Sequence, residues 1–199
     1  NHGVKVMSIG FLIDEEQPMV WRGPMVTQAL TQLLGETRWG ELDYLIVDMP
    51  PGTGDIQLTL AQRVPLSGAV VVTTPQEMSL LDARRGLQMF RKVEVPVLGV
   101  IENMSYHACP ACGHREALFG SEGGRRVAAR YAAPLLGELP LDARVRAGSD
   151  EGQPVVLALP DSELARGYRH AALATVAQLA ARHVAQPGAF PKITVGDDE

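Results

Sequence analysis

The segment Asp43–Asp55, DYLIVDMPPGTGD, decides the fold prediction. Tyr44–Val47 is a short apolar run of β-favouring residues, and the carboxylate of Asp48 follows it directly. A buried strand that delivers a carboxylate into a Pro/Gly loop is typical of α/β nucleotide sites, where ligands bind beyond the carboxyl ends of the strands. Asp48 suits hydrated Mg²⁺, and Gly52 and Gly54 let backbone N–H groups approach a phosphate. A strand, a turn and a capping Asp48 explain the same spacing, so both interpretations stay open.

The composition is that of a globular protein. The chain has 199 residues, of which 46% are hydrophobic and 21% charged, with a net charge of -5. This balance argues against nucleic-acid binding, and no apolar run approaches the ~20 residues that cross a bilayer. The first residues lack a signal-peptide pattern, and with two cysteines in all we expect a cytoplasmic protein. Because Asn1 is not Met, we also expect a fragment or a processed product.

Apolar patterning predicts alternating strands and helices. Several strands are near-continuous β-branched runs, which is typical of parallel strands buried on both faces. We therefore predict an α/β fold with a mostly parallel sheet and helices on both faces. The predicted strands are Val4–Ile9, Tyr44–Val47, Ala69–Thr74, Val97–Ile101 and Leu135–Leu139. Two predicted helices run from Pro24 to Gly35 and from Ile56 to Arg63. A third follows a capping box formed by Ser79 and Asp82, and its apolar stripe is Leu80, Ala83, Leu87 and Phe90. A fourth runs from Asp161 or Ser162 to about Val184, with the apolar stripe Leu164, Tyr168, Ala172, Val176 and Leu179.

The two cysteines lie three positions apart, Cys109 and Cys112, in the sequence YHACPACG. The surrounding Pro and Gly residues predict a knuckle rather than the helix start of a thioredoxin-like motif. Thiolates suit zinc or an iron–sulfur cluster, and such sites want four ligands. Two copies could share one site across a two-fold axis, one chain could recruit His107 and His114 for zinc, or the thiols could be free. We rank the shared site first, because the spacing of the two histidines would make a single-chain site cramped.

These motifs together are similar to a known family. The chain resembles the Mrp/ApbC-type P-loop ATPases that carry iron–sulfur clusters, in the deviant-Walker group with MinD, ParA and the nitrogenase iron protein. The matches appear in the family's order over most of residues 3–160. They are VMSIGFL (6–12), WRGPM (21–25), DYLIVDMPPGTGD (43–55), TTPQ (73–76), ENMS (102–105), CPACG (109–113), LFG (118–120), LGELPLD (136–142) and DEGQP (150–154).

The resemblance implies a role for each matching site residue. Asp48 would be the catalytic switch II carboxylate that orders Mg²⁺ through water, and Gly52, Thr53 and Gly54 the switch that senses the γ-phosphate of ATP. Two further sets complete the implied sites. Asn103, Pro140, Leu141 and Asp142 would contact adenine, and Cys109 and Cys112 would hold a [4Fe–4S] cluster that bridges a homodimer. Asn103 also fits a turn-forming Asn.

One family motif is absent from the sequence. No Gly-x-x-x-x-Gly-Lys-Ser/Thr occurs in the chain. That loop supplies the lysine and the backbone cradle for the phosphates. We therefore expect residues 1–185 to be the C-terminal portion of one ATPase domain, inactive alone, with the CxxC loop near 106–114 and a loose acidic tail at 186–199.

The resemblance implies an ATP-dependent carrier that passes its cluster to apo-proteins, without nucleic acid or membrane partners. Two alternatives stay open. One is a MinD/ParA-like ATPase with a structural zinc knuckle, against which the CxxC and the lack of a basic amphipathic C-terminal helix count. The other is a non-hydrolysing, metal-binding dimer module.

Overall fold

The computed structural model describes residues 2–12, 23–49, 57–58, 61 and 64–185. They fall into two compact units that divide between Pro65 and Leu66. No helix in these ranges is long and apolar enough to cross a membrane. The predicted helix over 56–63 and the predicted loose tail lie largely or wholly outside the described residues.

In the first unit, helix α1 (Gly23–Gly35) confirms the prediction made from Pro24 and the apolar spacing behind it. Its carboxyl end is fixed by Trp39, whose side chain is buried. The indole Nε1 of Trp39 donates to the carbonyl of Leu34 at 2.9 Å, and Lys5 Nζ donates to the carbonyl of Trp39. A buried indole whose N–H finds an acceptor is a stable anchor.

Two predicted strands of the first unit are wrong. Residues 4–8 are irregular and continue into a 3₁₀ turn at Ile9–Phe11, and residues 44–49 are irregular throughout. Ile46 is 90% exposed. An apolar run becomes a strand only where a neighbour completes its hydrogen-bond ladder. Among the described residues, no strand pairs with either segment.

The second unit contains a three-stranded parallel sheet in the order β1-β2-β5 and a separate two-stranded hairpin, β3-β4. The three predicted strands of this unit are confirmed, each to within one residue at its ends. The strands are β1 (Ala69–Thr73), β2 (Val97–Glu102), β3 (His107–Ala108), β4 (Arg115–Glu116) and β5 (Leu135–Glu138). The helices are α2 (Glu77–Lys92), α3 (Gly123–Arg130), α4 (Ala143–Asp150), α5 (Val155–Ala158) and α6 (Glu163–Ala185).

Helices cover both faces of this sheet, as predicted. Glu138 of β5 forms an ion pair at 3.2 Å with Arg125 of α3. The preceding residue, Gly137, approaches α6 so closely that an added Cβ would lie 3.0 Å from the Cβ of Ala171. Because successive side chains of a strand point to opposite faces, α3 and α6 lie on opposite sides of the sheet.

The core prediction for α2 is confirmed and its predicted start is wrong. The stripe Leu80, Ala83, Leu87 and Phe90 is buried. The helix begins at Glu77, before the predicted capping box, and Ser79 instead accepts a hydrogen bond from Thr74 at 2.8 Å. The carboxyl end of β1 therefore joins directly onto the first turn of α2.

Two further predictions fail at the sheet's surfaces. Among the described residues, strand β1 bonds only to β2. Val71 and Thr73 are buried while Val72 between them is 59% exposed, so β1 is not buried on both faces. In α6 the predicted stripe holds at Leu164, but Ala172 and Val176 are exposed. The buried positions of this helix also include Ala165 and Ala171, small residues that permit close packing on β5.

Candidate functional site

The predicted adenine-side residue Asn103 lies where strands β1 and β2 end together. Its backbone N–H donates to the carbonyl of Thr73 at 2.7 Å, which ties the two strand ends. Its side-chain oxygen accepts from the N–H of Met104 at 3.0 Å. Asparagines in turns commonly bond to the nearby backbone in this way, so the amide oxygen of Asn103 already has a hydrogen-bond donor within the fold. A role for Asn103 in binding adenine stays a prediction.

The segment after β5 lies against the segment after β2. The N–H of Leu139 donates to the carbonyl of Glu102 at 2.8 Å, and the carbonyl of Leu139 accepts from the N–H of Ser105 at 2.9 Å. Pro140, which follows Leu139, is buried. The structure therefore brings Asn103 and the predicted segment Pro140–Asp142 to the same edge of the sheet.

Asp142 has a structural task at this edge. Its carboxylate accepts from the backbone N–H of Arg144 at 2.8 Å, which caps α4, and from the Arg144 guanidinium at 2.7 Å. The hydrogen bonds from the Arg144 side chain, which outweigh the effect of partial burial, hold the pKa of Asp142 below its usual range. Capping explains the aspartate fully, and a contact to adenine stays a prediction.

Glu102 is a site residue to which the motifs give no role. It is 1% exposed, and its carboxylate accepts from the backbone N–H of Gly124 in the first turn of α3. An added Cβ on Gly124 would lie 2.8 Å from the Cβ of Glu102, so only glycine fits there. A charged residue at the end of an apolar run was the available signal, since buried carboxylates need strong donors.

The cysteine pair lies on the tip of the β3-β4 hairpin, as the predicted knuckle requires, and not at a helix start. His107 pairs with Glu116 in this hairpin. At the tip, the N–H of Cys109 donates to the carbonyl of His114 at 2.9 Å, and the N–H of Gly113 donates to the carbonyl of Cys109 at 2.8 Å. Gly113 has φ +73°, the left-handed conformation that closes the turn.

The turn directs backbone donors at the Cys109 sulfur. The N–H of Cys112, then that of Ala111, and then the Cys112 side chain lower the pKa of the Cys109 thiol. Both cysteines are free, with Cys112 exposed and Cys109 half-buried. Because thiolates, not thiols, bind metals, this geometry favours ligation at an accessible surface.

The side chains of the single-chain zinc alternative are not gathered into a metal site in the described part of the chain. Over the described ranges, no group of three or more His, Cys, Asp or Glu side chains is placed to hold a metal ion. His107, one of the predicted zinc ligands, directs its Nδ1 at the carbonyl of Leu141, 3.1 Å away. Within the described residues, no third candidate ligand joins the two cysteines.

Asp48 lies in the first unit, exposed, within the irregular segment 44–49. The prediction that it terminates a buried strand is wrong, for the reason given for that strand. The predicted switch residues Gly52, Thr53 and Gly54 lie outside the described residues. The phosphate and Mg²⁺ roles of these four residues stay predictions.

Comparisons with known proteins agree with the motifs. A family model described as ParA, the NUBPL iron-transfer P-loop NTPase, matches residues 1–176. The iron-sulfur cluster carrier protein of Pseudomonas fragi is 57% identical over 172 residues, which are 86% of this chain and 60% of that protein. The chain spans about half the length of the curated relatives it matches.

Two solved structures share the fold. A nucleotide-binding protein from Archaeoglobus fulgidus, in complex with ADP and with cobalt found in it, is 39% identical with a TM-score of 0.65, over 76% of this chain and 58% of that one. The cell division ATPase MinD of Pyrococcus furiosus is 21% identical with a TM-score of 0.55, over 78% and 59% of the two chains. This second likeness shows the fold alone.

Proposed function

The chain belongs to the NUBPL iron-transfer family of P-loop NTPases, and we propose that it works in an ATP-dependent carrier that binds an iron–sulfur cluster and passes it to apo-proteins. The observation that carries this proposal is the hairpin tip, where backbone donors lower the pKa of the Cys109 thiol beside a second free cysteine. The Pseudomonas fragi relative is named an iron-sulfur cluster carrier protein, which supports the carrier part of this proposal.

The cluster is the cargo, and ligand number determines how it is held. A [4Fe–4S] cluster takes four thiolates, whereas the chain has only Cys109 and Cys112. Two copies of the hairpin, related by a two-fold axis, supply four thiolates. Because both cysteines are accessible in one copy, a homodimer can form around the cargo and release it to a recipient protein.

Nucleotide chemistry belongs to the same proposal. Asp48 holds Mg²⁺ through water, the loop containing Gly52, Thr53 and Gly54 senses the γ-phosphate of ATP, and Asn103 with Pro140–Asp142 contacts adenine. The sequence of this chain contains no Gly-x-x-x-x-Gly-Lys-Ser/Thr loop, and that loop holds the phosphates in P-loop enzymes. These 199 residues alone therefore bind ATP weakly and do not hydrolyse it. We place the carrier in the cytoplasm.

Anaerobic reconstitution with ferrous iron and sulfide tests the proposal. We expect a coloured protein with about four irons per two chains, and we expect Cys109→Ser and Cys112→Ser each to lose the iron. His114→Ala is the matched control, because His114 is exposed on the same turn and is a ligand only in the zinc alternative. A colourless protein with one zinc per chain, lost in His114→Ala, would contradict the proposal.

A further inference from the structure

We propose that the segment Leu139–Asp142 links the nucleotide-side edge of the sheet to the cysteine hairpin, and that His107 is the positioning residue that completes the link. The inference rests on the proposed function, because it assigns the route between the two proposed sites. The observation behind it is a continuous series of hydrogen bonds that runs past the ends of the strands.

The series begins within the sheet and continues beyond it. Leu139 donates to Glu102 and accepts from Ser105, as described above. Two residues further along, the N–H of Leu141 donates to the carbonyl of Tyr106 at 2.8 Å. The chain after β2 and the chain after β5 are thus bonded together from Glu102 to the residue before the hairpin.

His107 adds the last bond of the series. Its Nδ1 lies 3.1 Å from the carbonyl oxygen of Leu141. A carbonyl oxygen only accepts, so Nδ1 carries the hydrogen in this contact. Leu141 therefore holds both Tyr106 and His107, and His107 is two residues before Cys109. A shift of the cysteines changes the geometry at Leu141 and Asp142, which directly precede α4.

The opposite strand of the hairpin is held as well. The guanidinium of Arg115 lies over the ring of Tyr106, 4.5 Å from its centroid, and pairs with Glu163 at the start of α6. This exposed ion pair is a second contact between the hairpin and the rest of the unit. Movement at the hairpin tip is transmitted through Tyr106 and His107 to Leu141.

The link makes a reciprocal prediction. Metal at the cysteines that stabilises this hydrogen-bonded geometry raises the affinity for any ligand that favours the same geometry at Leu141–Asp142. That ligand in turn raises the affinity for metal by the same factor. One neutral hydrogen bond changes an equilibrium constant by roughly two- to tenfold. The expected coupling is of that size.

Hydrogen exchange measured by nuclear magnetic resonance tests the link, with Zn²⁺ as a diamagnetic probe of the cysteines. We expect Zn²⁺ to slow exchange of the Leu141 amide about fivefold in the wild-type chain. The Glu151 amide, which donates to the carbonyl of Ala147 at the end of α4, is the internal control, and its exchange rate should not change. Zinc that binds without slowing Leu141 overturns the link and leaves the proposed function intact. A chain that binds no Zn²⁺ at its cysteines overturns the link, and the iron reconstitution described under the proposed function decides the metal site separately.

Substitutions at His107 separate positioning from mere structure. His107→Ala removes the donor to Leu141, and we expect it to bind Zn²⁺ through the cysteines without slowing Leu141. His107→Asn places an amide nitrogen near the position of Nδ1, and we expect it to restore most of the effect. Equal slowing in His107→Ala and the wild type overturns the role of His107, and the wild-type measurement decides the link even if a variant fails to fold.

Discussion

Replacing Glu102 with alanine should destabilise the second unit strongly. The Glu102 carboxylate accepts the N–H of Gly124, and the side chain is almost fully buried. Its removal leaves that N–H without its acceptor in a buried site, which costs about 1–3 kcal/mol. Loss of the one buried methylene group, Cγ, adds about 0.8 kcal/mol. We therefore expect the free energy of unfolding to fall by about 3 kcal/mol.

Urea unfolding followed by circular dichroism measures this change. Tryptophan fluorescence would report on the wrong unit, because Trp21 and Trp39 both precede Pro65. With an m value of about 2–3 kcal/mol per molar, a loss of 3 kcal/mol lowers the midpoint by about 1 M. Glu102→Gln keeps one acceptor oxygen at the helix N-terminus and replaces the other oxygen with an NH2 group, so we expect the free energy of unfolding to fall by only about 1 kcal/mol.

The control is Glu151→Ala, an exposed glutamate of the same unit. It should change the free energy of unfolding by less than about 0.5 kcal/mol. If Glu102→Ala is as stable as Glu151→Ala, the reasoning that the carboxylate fastens α3 to the end of β2 is refuted. If Glu102→Gln is as stable as the wild type while Glu102→Ala is not, the hydrogen bond stabilises the unit and the charge does not.

Three further predictions concern the core, a cap and the thiol. Leu87→Ala removes a side chain that is 0% exposed, and we expect it to lower the free energy of unfolding by urea by about 2–5 kcal/mol. Met78→Ala, on the exposed side of the same helix, should leave that free energy nearly unchanged. Equal losses in the two variants would show that α2 does not pack as described. The folded-state pKa of Asp142 is lowered, chiefly by Arg144, so its stabilisation is complete above the ordinary aspartate pKa of about 3.9 and is lost as the pH falls through the folded value. Asp142→Ala should therefore cost about 1 kcal/mol at neutral pH and progressively less below about pH 4, while Asp142→Asn retains the cap; a cost independent of pH would contradict the ion pair. Cys109 should be alkylated by iodoacetamide with a pH midpoint below that of a free cysteine peptide, near 8.5, as mapped by peptide mass spectrometry; a midpoint at or above that value would contradict the donors at its sulfur.

Residue patterns predict the second unit well because its local and tertiary preferences agree. The alternate residues Ala69, Val71 and Thr73 of β1 and the stripe of α2 lie on surfaces that the folded unit buries. The same reasoning fails at Tyr44–Val47, where the pattern is equally apolar but no described strand supplies the partner ladder. Strand propensity expresses fit to a neighbour, and a single segment does not reveal whether that neighbour is present.

The candidate site divides in the same way. The CxxC spacing predicts the knuckle, because two cysteines around a Pro and before a Gly specify a tight turn. The contacts of Glu102 and His107 could not be predicted, since each partner, Gly124 or Leu141, is more than 20 residues away. Asn103 is the intermediate case, because its predicted turn contact is present while its contact to adenine is untested.

Native mass spectrometry of the anaerobically reconstituted chain tests the central claim most directly. Two hairpins with two thiolates each should yield one species at twice the chain mass of 21.4 kDa plus four irons and four sulfides. Both Cys109→Ser and Cys112→Ser should shift it to the metal-free single chain. A single chain that retains its own metal, with one ion per copy, would contradict the account.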